Sequence, residues 1–149
     1  DAILFTCSAF GPAIDAVKRE HAMPVLKPNE ALYERMVACD GRVAMLVTFP
    51  PSLPSMVDEV AACARNAGRR LRLTPHLVPG ALDALQAGQP GEHDRLIAEA
   101  AARHADHDLI VFGQFSMASA LPGARARIAR PILSAPDTAV QRLRAALEA

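Results

Sequence analysis

The run Arg42-Val43-Ala44-Met45-Leu46-Val47-Thr48 constrains this chain more than any other stretch. After the arginine, apolar residues follow one another without a polar break until Thr48, and Phe49-Pro50-Pro51-Ser52 then turns the chain. A strand with water on one face alternates apolar and polar residues. An unbroken apolar run bounded by turn residues reads instead as a strand covered on both faces, as in a parallel sheet between helices. Asp108-Leu109-Ile110-Val111-Phe112-Gly113 is a second run of this kind. Between the two the periodicity changes: Leu53, Met56, Val57, Val60, Ala61, Ala64 and Ala67 share one helical face, and Gly68 stops that helix. Buried strands alternating with helices predict an α/β protein with a mostly parallel sheet.

The remaining segments fit the same alternation. Ile3-Leu4-Phe5 is a short strand, and Gly11-Pro12 opens a helix to about His21. Met23 to Leu26 predicts a strand, and Pro28-Asn29-Glu30 begins a helix that Gly41 stops. Leu71 to Val78 predicts a strand in which Pro75 marks either a sheet edge or a break. Helices are expected over 81–87 and from Pro90, a helix or irregular stretch over 119–130, a strand at 131–133 and a last helix over 138–147.

Cys7 sits where the first strand gives way to the first helix. Open α/β sheets bind ligands at the carboxyl ends of their strands, and helix-terminal amides there stabilise anions, a thiolate included. A small packed hydrophobe is the alternative for a lone cysteine. Cys7, Cys39 and Cys63 follow no disulfide or metal spacing, which suits reduced thiols in the cytoplasm. Sixteen basic and sixteen acidic side chains cancel without long runs of either sign, which argues against nucleic acid and a membrane surface as partners. His104 and His107 could share a helical face, but spacing fixes no third ligand. No metal is expected, and these histidines, with His21, His76 and His93, read as solvated.

Asp1-Ala2-Ile3-Leu4-Phe5-Thr6-Cys7-Ser8-Ala9 has an echo in Asp108-Leu109-Ile110-Val111-Phe112-Gly113-Gln114-Phe115-Ser116-Met117-Ala118. Two related lobes would produce it, and so would simple repetition of strand–turn–helix units. Together with Pro24-Val25-Leu26, Glu30-Ala31, the run 42–48 and Pro131-Ile132-Leu133-Ser134, these segments resemble the aspartate/glutamate racemase superfamily in order along the whole chain. That group contains glutamate, aspartate and hydantoin racemases, maleate isomerase and arylmalonate decarboxylase. The resemblance implies two pseudo-symmetric lobes of mostly parallel sheet flanked by helices, with the active site in the cleft between them. Residues 1–41 plus 131–149 would form lobe one and 42–130 lobe two. It also implies that strand–helix units of lobe one, upstream of the first cysteine motif, are missing.

Racemases of the superfamily use no cofactor, and two cysteines on opposite faces of the α-carbon remove and return its proton. Cys7 matches the first cysteine, and Gln114 stands in place of the second. An amide donates and accepts hydrogen bonds but is neither acid nor base. The resemblance therefore implies a one-cysteine, cofactor-independent racemase or isomerase acting next to the carboxylate of an amino acid or related small acid, with Cys7 catalytic. The alternatives are a decarboxylase, in which one thiol protonates an enediolate, and a noncatalytic binding homologue. In the superfamily's decarboxylases the remaining cysteine lies in the other lobe. Thr48 matches a carboxylate-binding position, and serves equally as a turn residue. Ser8, Ala9, Gln114, Phe115 and Ser116 would contact substrate by position. The expected partner is a small-molecule carboxylate, and homodimers or larger homo-oligomers are common in the superfamily.

Overall fold

The computed structural model describes residues 1–7 and 11–148. In chain order the strands are Ile3–Leu4 (β1), Val25–Leu26 (β2), Arg42–Val47 (β3), Arg72–Leu77 (β4), Leu109–Phe112 (β5) and Ile132–Ser134 (β6). The helices are Gly11–Glu20 (α1), Glu30–Ala38 (α2), Leu53–Asn66 (α3), Ala81–Gln86 (α4), Pro90–Ala102 (α5), Leu121–Arg125 (α6) and Ala135–Glu148 (α7). Short 3-10 helices at Pro50–Ser52 and Phe115–Ala120 follow β3 and β5.

Every strand pairing is parallel. β1 and β2 form a two-stranded sheet, and the larger sheet has the order β4-β3-β5-β6. β4 is at the edge, where Pro75 removes no needed ladder donor. The continuous apolar runs are explained by what lies on either side of β3 and β5. Val43, Met45, Val47, Leu109 and Val111 face Leu32, Met36, Met56 and Val60 of α2 and α3. Ala44, Leu46, Ile110 and Phe112 face the opposite way, toward Ile97, Ala101, Leu121 and Ile128. Successive residues thus feed two separate cores, and each fully buried aliphatic side chain contributes about 1.5–3 kcal/mol.

Residues 132–134 belong to the larger sheet, where Ile110 to Phe112 register with Ile132 to Ser134. Only α7 returns to pack on α2, and Arg142 pairs there with Glu34 at 3.1 Å. α7 starts three residues ahead of the expected Thr138, because Ser134 Oγ accepts the Asp137 N–H at 3.3 Å and Pro136 fits a first turn. No helix among the described residues is long and apolar enough to cross a membrane.

The junction before β3 depends on Gly41. Asp108 accepts the Arg42 N–H on its carboxylate at 2.8 Å and donates its own N–H to Arg42 O at 2.9 Å, which sets β3 against β5. A Cβ on Gly41 would fall on the Asp108 side chain. Gly41→Ala is therefore expected to cost about 1–3 kcal/mol, as overpacking does. The thermal midpoint should fall, and Asp108→Ala in the same chain should restore part of the loss. An unchanged midpoint in the single variant would mean that Asp108 moves aside freely.

Candidate active site

Parallel strands all leave a sheet by the same edge, so the exits of β3 and β5 lie together, and the end of β1, in the smaller sheet, comes up against them. They enclose a cavity of about 520 Å³. Thr6 and Cys7 line it beyond β1, Phe49, Pro51 and Ser52 beyond β3, and Gly113, Gln114, Phe115 and Ser116 beyond β5. Ser55 and Met56 of α3, with Pro28 and Asn29 ahead of α2, complete the wall. The structure thus brings Cys7 to the same cavity as Gln114, Phe115 and Ser116, more than a hundred residues along the chain. Cys7 and Ser116 are exposed, and Gln114 and Phe115 are half-buried. Ser8 and Ala9 lie outside the described residues. The sequence reading passed over Asn29, Ser52 and Ser55. Their signal was position alone, since each lies within a few residues of a strand-to-helix transition of the kind that singled out Cys7.

Thr48 is buried behind the wall and engaged with Gln114. Gln114 Oε1 accepts the Thr48 N–H at 2.7 Å, the Thr48 hydroxyl at 2.9 Å and the Phe49 N–H at 3.2 Å. Its Nε2 faces Ser52 Oγ at 3.4 Å, and that hydroxyl donates to Phe49 O at 2.9 Å. Gly113 keeps the approach close: its N–H donates to Leu46 O at 3.0 Å, and a Cβ there would meet the end of the Met56 side chain at 2.5 Å. The donors expected to take a ligand carboxylate at Thr48 are occupied by the chain's own amide oxygen.

Cys7 is the one titratable side chain lining this cavity among the described residues. Everything else is apolar, hydroxyl or amide. A neighbouring cavity of about 440 Å³ shares Pro28 and Asn29 but is charged, with Asp15, Lys27, Glu30, Glu34 and Glu59 in its wall. Lys27, at 2.7 Å, holds the Asp15 carboxyl below its usual range, and Lys18 pairs with Glu30 at 2.7 Å. Burial, then the Glu59 charge, pushes the Tyr33 phenol up, and burial with Glu34 and Glu30 does the same to the Cys63 thiol. Neither is prepared to give up a proton.

His21 is exposed as expected and His76 is half-buried, but His93, His104 and His107 are not solvated. His104 and His107 are buried, because β4 runs beside the turn that follows α5. His104 Nε2 lies 3.1 Å from His76 Nδ1, and His107 Nε2 lies 3.0 Å from Thr74 Oγ1. His93 is wholly buried and bonded to Asp94 at 2.8 Å, and Asp94 also accepts the Ser119 hydroxyl at 2.7 Å. Among the described residues no group of three or more histidine, cysteine or acidic side chains is placed to hold a metal ion. Burial lowers the pKa of His76 and of His104 below 6.5; Arg103 adds to the effect at His76, and the neighbouring histidines add to it at His104. The unfolded chain then binds protons that the folded chain refuses, so this contribution is complete above pH 6.5 and is lost as pH falls through the depressed values. The urea midpoint should drop between neutral pH and about pH 5, and His104→Gln should flatten that drop. An equally steep drop in the variant would remove this pair as its cause.

No family model matches the sequence, and no curated protein matches it. Solved structures do. A glutamate racemase of Bacillus anthracis superposes with a TM-score of 0.70 at 13% identity, over 99% of this chain and 57% of that one. An aspartate racemase homologue of Pyrococcus horikoshii gives 0.69 at 13% identity, over 99% of this chain and 67% of that one. Unliganded arylmalonate decarboxylase gives 0.61 at 14% identity, over 97% of this chain and 64% of that one. This chain spans between 57% and 67% of their lengths. Over almost all of its length it shares the α/β fold of these two racemase structures and of arylmalonate decarboxylase.

Proposed function

We propose that the chain carries the catalytic cavity of a cofactor-independent racemase-type isomerase, acting at the carbon next to the carboxylate of an amino acid or related small acid. One observation carries this reading: among the described residues a single thiol, Cys7, lines a cavity whose other polar groups are all neutral. The thiolate takes the α-proton, and the electron pair passes into the carboxylate to give an enediolate. Asn29, Gln114 and Ser116 carry neutral N–H or O–H groups that can hold that charge, as such a step requires, whereas the Ser52 and Ser55 hydroxyls already donate to Phe49 O and Ser52 O. Cys7 is solvent-exposed, so a proton returns from the thiol on one face or from water on the other.

Residues 1–41 would supply Cys7 and Asn29, and residues 42–130 the facing wall. The pairing of β6 with β5 supports grouping 132–134 with that wall, and α7 with α2. A second reading is favoured by the want of a second acid or base in the wall: decarboxylation, in which CO2 leaves first and Cys7 protonates the enediolate. The likeness to arylmalonate decarboxylase supports it at the level of fold.

The test is α-proton exchange in D2O, followed by NMR on amino acids, hydantoins and substituted malonates. Deuterium at the α-carbon with loss of optical rotation is expected. Release of CO2 with deuterium in one product enantiomer would replace isomerisation by the second reading. No exchange and no CO2 from any of the three sets would overturn both.

A further inference from the structure

We propose that Gln114 sets the polarity of the cavity: its amide turns N–H toward the ligand, so the site takes an acid whose oxygen accepts that hydrogen bond and whose α-carbon bears no ammonium group. This rests on the reading of the cavity as a small-carboxylate site and selects within it.

The orientation of the amide is forced. Two of the groups facing its inner atom are the backbone N–H of Thr48 and Phe49, at 2.7 and 3.2 Å, and a backbone N–H cannot accept. Only oxygen satisfies them, and the Thr48 hydroxyl adds a third donor at 2.9 Å. A flipped amide would set its NH2 against the two backbone N–H groups and lose both of those bonds, keeping at most one to the Thr48 hydroxyl, which can also accept. Nε2 is therefore held on the other side. Among the described residues its one partner is Ser52 Oγ, at the long distance of 3.4 Å, which leaves it hydrogen-bonding capacity toward the cavity that Gln114 lines.

Charge points the same way. No carboxylate lines the cavity among the described residues, so an ammonium group entering it would lose water and gain no counter-ion except the Cys7 sulfur while that is ionised. A carboxylate meets the Asn29 and Gln114 amides and the Ser116 hydroxyl instead.

Three probes of matched skeleton test this by calorimetric titration: isocaproate, leucine (the same acid with an α-ammonium) and isoamylamine (leucine without its carboxylate). Isocaproate is expected to bind wild type about tenfold to a hundredfold more tightly than leucine, the scale of taking one polar group out of water without a matching partner. Isoamylamine should bind weakest. Gln114→Glu keeps one oxygen for the three donors and exchanges the N–H for a second oxygen. It should weaken isocaproate at least about tenfold and raise isoamylamine above it. Retained shifts of the Thr48 and Phe49 amide protons would show the new side chain still seated. A wild type that prefers leucine or isoamylamine, that binds no isocaproate, or whose order survives Gln114→Glu overturns the proposal. If that variant fails to fold, the wild-type order decides alone. The readout is binding without turnover, so it separates from the proposed activity. Exchange on a tightly bound leucine would sustain that activity and sink this polarity, and preference for isocaproate without any exchange would do the reverse.

Discussion

Cys7→Ala is expected to lower α-proton exchange by about 10²–10⁴-fold, the range that a positioned acid or base contributes. The size of the effect follows from the composition of the wall. With no histidine, carboxylate, lysine or tyrosine among the described residues around the cavity, no neighbour stands ready to take over the proton. Loss of structure cannot imitate the result, because Cys7 is exposed and a surface substitution of this kind typically moves stability by less than about 0.5 kcal/mol. Cys7→Ser completes the argument. A hydroxyl keeps the shape and the hydrogen-bonding capacity while remaining protonated at neutral pH, so it should be nearly as inactive as alanine and bind ligand as the wild type does. Exchange rates on a bound ligand, with thermal midpoints as the control, decide the matter. Exchange within about tenfold of wild type in both variants would place the acid–base work elsewhere.

The features legible in the sequence were those whose cause is local. The runs at 42–48 and 108–113 announce covered parallel strands because each residue's neighbours two positions away share its face, and Pro75 announces an edge or a break because its missing N–H is its own property. The position of Gln114 could be read for the same reason, as the residue after an apolar strand. Its orientation could not: the donors that hold its oxygen lie 65 and 66 residues earlier, and nothing in either stretch names the other. Thr48 shows the same limit, since a residue that reads as a carboxylate donor is already engaged by the chain. His104 and His107 end a helix in the sequence, and only the arrival of β4 beside that end buries them. Residues 132–134 look like a strand from any angle, but whether they join the first or the second sheet is a choice of partner rather than of propensity.

Phe112→Ala should be the most damaging single core substitution for stability, costing about 3–5 kcal/mol. Phe112 is wholly buried, among Leu46, Ile97 and Met117, and heads the ranking of fully buried side chains by size. The site has little freedom to collapse, because β5 is flanked by β3 and β6 and is held by parallel pairing on both sides. Against a typical domain stability of about 5–15 kcal/mol the loss is about a fifth or more, and the urea midpoint should fall in proportion. Phe112→Leu, which keeps most of the volume, should cost less than about 1.5 kcal/mol. A loss below about 1 kcal/mol in the alanine variant would mean that the helical layer around Ile97 and Leu121 closes over the gap. The effect on chemistry should differ in kind from that of Cys7. The ladder that fixes Phe112 opposite Leu46 is made by the backbone, and the Gly113 N–H continues it to Leu46 O at 3.0 Å. Molecules of the variant that remain folded should therefore still seat Gln114 on Thr48 and Phe49. Phe112→Ala would reduce the amount of active protein and leave the exchange rate per folded molecule unchanged, whereas Cys7→Ala would leave the amount and remove the rate.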